Sequence, residues 1–89
     1  MSAHRSKTEV AELAGRASRM AADLCYFFNV RYGVFSDDWP ECGEKRAYRL
    51  LTDAALMSYR TDASNEWKYN ALRDAIRFAE TLGTQQVLF

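Results

Sequence analysis

The sequence predicts an all-α protein, a compact three-helix bundle. Three observations carry that expectation. Apolar residues recur at spacings of three and four through three long stretches, the period of a helix with one buried face. Stop and start signals fall between those stretches, at Gly33 to Pro40 and at Arg60 to Ser64. Strand character is weak, and only 30–35 and 85–89 have the composition of short extended pieces. A chain of 89 residues makes a single domain with one core.

Helix one is expected over about 7–32, after a flexible tail at 1–5. Ser6 and Glu9 have the spacing of a capping box, in which each side chain bonds the other's backbone amide. Val10, Leu13, Ala17, Met20, Leu24 and Phe27 form the apolar stripe, with Ala14, Ala21, Cys25 and Phe28 in a second row. Gly15, Ala14, Ser18 and Ala22 make the first half slim, and the aromatics make the second half bulky. Gly33 is expected to end the helix, since glycine readily turns left-handed there.

Helix two is expected over about 40–59, with Pro40 in its first turn and Asp37 or Asp38 as cap. Glu41 and Glu44 would then oppose the positive end of its dipole. Ala47, Leu50, Leu51, Ala54 and Met57 form its apolar face, and Lys45, Arg46, Arg49 and Asp53 its polar one. Helix three is expected over about 63–82, capped by Asp62 or Ser64 and closed by Gly83. Its apolar positions are Trp67, Ala71, Ala75, Phe78 and Leu82, with Leu72, Ile76 and Ala79 alongside. The apolar tail Val87-Leu88-Phe89 is expected to dock on the bundle or a partner.

Half of the aromatic residues lie between 26 and 39. Phe27 and Phe28 extend the stripe of helix one and are expected in the core, and Trp39 is placed to staple the second helix to the first. Tyr26, Tyr32 and Phe35 fit less well on an inward face. Tyrosine and arginine are the residue types enriched at interface hot spots. Tyr26, Arg31, Tyr32, Phe35 and the neighbouring Asp37 and Asp38 are therefore the candidate partner-binding residues.

The chain carries twelve basic and twelve acidic residues, a formal net charge of zero. Strong non-specific binding to nucleic acid or a membrane surface needs a basic surplus. A nucleic-acid interface would have to use Lys45, Arg46, Arg49, Arg73 and Arg77, in a helix-turn-helix arrangement of the last two helices. The bland alternative is a solvated face with local ion pairs. A third reading is self-association, with the slim half of helix one as a homodimer seam.

No catalytic residue, metal site or cofactor is expected. His4 is the one histidine and lies in the tail, and the four glycines are isolated rather than gathered in a phosphate-binding loop. Cys25 and Cys42 have neither metal-ligand nor redox spacing. With a polar start and no apolar run long enough to span a bilayer, the expected setting is a reducing cytoplasm with both thiols free.

In its short length, lack of catalytic groups and helical plan, the chain is similar to the small proteins with which phages and mobile elements block host machinery, anti-CRISPR proteins among them. The likeness is one of format and transfers no site. Together these features point to a non-catalytic protein–protein interaction module that acts by steric block, an inhibitor of a host defence complex being one concrete version.

Overall fold

A computed structural model describes residues 5–86, with side chains as far as Leu82. The expected docking of Val87-Leu88-Phe89 and the expected flexibility of the first residues lie outside this range, apart from Arg5. Among the described residues there are three α-helices and no strand: α1 (Lys7–Tyr32), α2 (Gly43–Met57) and α3 (Asn65–Gln86). Each packs on both others. The end of α1, the start of α2 and the end of α3 meet around a recess lined by Leu24, Ala47 and Leu82. The start of α1, the end of α2 and the start of α3 meet around another, lined by Lys7, Ser58 and Lys68. The topology is therefore up-down-up.

The ends of α1 follow their local chemistry. Ser6 Oγ accepts from the Glu9 amide at 3.1 Å, and Glu9 Oε1 accepts from the Ser6 amide at 3.0 Å. This capping box leaves the Glu9 carboxyl below its ordinary pKa, chiefly through the Ser6 amide. At the other end the Gly33 amide bonds Asn29 O at 3.1 Å. Gly33 takes φ 100° and ψ 176°, so the chain leaves α1 extended rather than through the left-handed helical region expected. That backbone region is essentially confined to glycine.

The buried line of α1 is Val10, Ala17, Ala21 and Phe28. Phe28 lies eighteen residues past Val10, about five full turns at 3.6 residues per turn. The stripe expected from a repeat of three and four averages 3.5 and slides about 20° per heptad on a straight helix. Phe27 continues the edge row of Leu13 and Met20, which starts about 60° from the buried line and has drifted to about 100° by Phe27. Phe27 is accordingly 40% exposed instead of sitting in the core.

The loop after α1 departs most from expectation. Ser36–Asp38 form a 3-10 turn, and α2 begins only at Gly43, behind a Cys42 N-cap that makes no side-chain bond. Asp37 and Asp38 therefore do not cap α2, and Pro40 lies outside it. Trp39 supplies the reason. A residue before proline is driven to extended backbone, and Trp39 takes φ −77°, ψ 142°. Its side chain is 3% exposed. The indole stacks on Phe28 with centroids 4.6 Å apart, receives Tyr48 edge-on at 5.1 Å, and donates from Nε1 to Gly33 O at 2.9 Å. Three separate segments thus converge on Trp39, and the staple role is realised.

Lys45, expected on the polar face, is instead 3% exposed. Its Nζ donates to Trp39 O at 3.1 Å and to Glu41 Oε2 at 2.6 Å. The ammonium satisfies a loop carbonyl and an exposed carboxylate while its stem covers apolar surface. Lys45, then Arg49, hold the Glu41 carboxyl below its usual range. Gly43 admits α3: a Cβ there would lie 3.0 Å from Leu82 Cδ2.

α3 is capped by Ser64, whose Oγ accepts from the Trp67 amide at 3.1 Å, while Asp62 pairs with Arg60. Its buried residues are Leu72, Ala75 and Ile76, so its buried line takes Ala75 from the expected principal row and Leu72 and Ile76 from the row alongside. Trp67, at the margin, is 45% exposed. The helix continues through Gly83 to Gln86, because glycine costs a helix about 1 kcal/mol without forbidding it. Cys25 and Cys42 are both unbridged. No helix among the described residues is long and apolar enough to cross a membrane.

Candidate interaction surface

The last turns of α1 and the loop beyond them leave a run of apolar side chains in solvent. Tyr26 is 73% exposed and Phe35 71%, with Val30 and Val34 similar, while Phe27 and Tyr32 are less open, at 40% and 44%. These side chains surround one end of the bundle rather than lying on a single face.

Each exposure has a local cause. With Phe28 inward, Tyr26 and Val30 fall on the opposite side of α1, one turn apart. Neither α2 nor α3 can reach that side. Gly33 then sends Val34 and Phe35 away in extended backbone, and the 3-10 turn closes by bonds from the Asp38 amide to Phe35 O and from the Trp39 amide to Ser36 O. Burial of Trp39 holds this turn at the end of the bundle.

The six residues nominated from the sequence are all exposed, but they do not share one face. Tyr26 points outward. Arg31 is about 140° round the helix from it and lies over the Phe27 ring at 4.7 Å. Tyr32 sits beside the core, its ring 6.0 Å from Phe28. Asp37 and Asp38 stand in the 3-10 turn next to Phe35, and no ion pair among the described residues involves either. Val30 and Val34 were missed by sequence reasoning. The signal for Val30 was its four-residue spacing from Tyr26; Val34 had none, because its exposure follows from the path of the loop.

The basic residues nominated for nucleic acid are mostly engaged. Lys45 is buried, and Arg49 lies 3.8 Å from Glu41. Arg46 sits over the Phe78 ring at 5.8 Å, tying α2 to α3. Arg73 pairs with Asp74 at 3.3 Å. Arg77 is exposed. Among the described residues no group of three or more histidine, cysteine, aspartate or glutamate side chains could hold a metal ion.

Comparison with family models, with curated proteins and with solved structures returned no match.

Proposed function

We propose that the chain is a non-catalytic protein-interaction module. It docks the aromatic end of α1 and the following turn on a partner protein and acts by occupying that surface. The observation that supports this most directly is the exposure of Tyr26, Val30, Val34 and Phe35 on a well-packed frame. Apolar and aromatic side chains held in place by Phe28 and Trp39 lose little conformational freedom on binding, which favours affinity. Asp37 and Asp38 supply a charged rim, the usual surround of an apolar interface centre. An inhibitor of a larger host assembly, in the manner of short phage and mobile-element proteins, is the concrete form of this reading.

The test compares the wild-type chain with a Tyr26→Ser, Val30→Ser, Phe35→Ser variant as bait in a lysate of the encoding organism. These side chains support little of the core, so the variant keeps its fold, checked by circular dichroism. A protein retained by the wild type and lost by the variant is the expected result. Equal retention by both would reject this surface.

A further inference from the structure

The exposed side chains at the aromatic end constrain the shape of what can cover them. Successive residues of a helix are about 100° apart. Measured from Tyr26, Val30 therefore lies about 40° round α1, Phe27 about 100°, and Tyr32 about 120° in the opposite sense. All four are at least 40% exposed, so the open apolar arc of these last turns spans about 220°. The remaining arc holds the buried Phe28. A helix packed on one surface uses a stripe only about 100° wide.

Beyond the helix the chain adds a tip. Val34 and Phe35 are 70% and 71% exposed, and the 3-10 turn that follows carries Asp37 and Asp38. Among the described residues neither aspartate makes an ion pair. The neighbouring bases are turned elsewhere. Arg31 lies over the Phe27 ring on the flank of α1. Lys45 and Arg49 both lie at Glu41, and Arg46 sits over the Phe78 ring. The tip is apolar and carries two uncompensated carboxylates.

The geometry points to a partner protein that receives this end in a cleft, with apolar walls closing on both flanks of α1 and a floor presenting lysine or arginine to Asp37 and Asp38. A flat partner could bury Tyr26 and Val30 but would leave Tyr32 uncovered. The cleft has to admit a helix with its side chains, about 10–12 Å across. The inference rests on the reading of this end as an interaction surface, and it specifies the shape and charge of what that surface meets.

The test places p-benzoylphenylalanine singly at 26, 32 or 37, irradiates each chain in lysate of the encoding organism and maps the adducts by mass spectrometry. All three positions are exposed, and circular dichroism checks that each chain keeps its fold. The cleft predicts one partner joined from all three positions, at different segments of its sequence. Asp37→Lys, Asp38→Lys sets like charges face to face and should lower the adduct yield from position 26 at least about tenfold. Raised salt should lower that yield in the otherwise wild-type chain. An adduct from 26 with none from 32 or 37 would overturn the cleft while leaving the interaction surface standing. A yield indifferent to the charge reversal would overturn the basic floor in the same way. No adduct from any position would overturn both readings. An adduct joining two copies of this chain would assign the end to self-association and overturn the inference.

Discussion

Trp39→Phe measures how much of the loop geometry depends on one side chain. The indole is almost wholly buried between Phe28 and Tyr48, and its Nε1 bonds Gly33 O at 2.9 Å. Phenylalanine keeps a ring against Phe28 but loses that bond, worth about 0.5–1.5 kcal/mol. It also leaves a gap where the outer six-membered ring was, worth about 1 kcal/mol at ~24 cal/mol per Å³ of cavity. The expected loss is about 2 kcal/mol. A domain of this size has about 5–10 kcal/mol of stability, and 2 kcal/mol lowers its melting temperature by roughly 8–16 °C. Urea unfolding followed at 222 nm reads the change. Trp67→Phe is the internal control: that indole is half exposed, and its replacement should cost less than about 0.5 kcal/mol. A loss below about 0.7 kcal/mol for Trp39→Phe, or one no larger than that of Trp67→Phe, would refute the account of the staple.

Gly33→Ala should cost about 1–3 kcal/mol by urea unfolding, because φ 100° with ψ 176° is glycine territory; the nearest atoms leave room for a Cβ, so the penalty is conformational. Lys45→Met keeps the apolar stem but leaves Trp39 O without its donor, and should cost about 1–2 kcal/mol. Lys45→Ala removes the stem too and should cost about 1 kcal/mol more. Acid should destabilise the fold in a defined window. Glu9, Glu41 and Asp62 all have lowered pKa values, from the Ser6 amide, from Lys45 and from Arg60 respectively. A carboxyl lowered on folding stabilises fully above its unfolded value and loses that contribution as pH falls through the folded one. The melting temperature should therefore be level above about pH 5 and fall below about pH 4, less so in high salt. A level profile down to pH 3 would contradict these pairings.

Local chemistry made much of the fold legible. Ser6, Glu9 and Gly33 delimit α1 by bonds to their near neighbours, so their roles are written within a few residues. Ser64 does the same for α3. The start of α2 was not legible, because it is fixed by Trp39 reaching back to Phe28 across the loop, a contact no local pattern announces. Lys45 was misplaced for the same reason: its burial exists only because the Trp39 carbonyl arrives above it. Phe27 differs in cause: it belongs to the edge row of the stripe, and a 3.5-residue repeat on a helix of 3.6 carries that row further from the core. The candidate surface was legible as a concentration of aromatic residues. Dividing it into core and surface needed the position of Phe28, which left Tyr26 and Val30 facing away from both other helices.

The most direct test of the central claim places the photo-crosslinker p-benzoylphenylalanine singly at 26, 35 or 53 and irradiates each chain in lysate of the encoding organism. Asp53 is exposed on α2, away from the aromatic end, and serves as control. The proposed surface predicts one shared heavier adduct from positions 26 and 35 and none of that mass from 53. Equal adducts from all three positions, or an adduct from 53 alone, would contradict it.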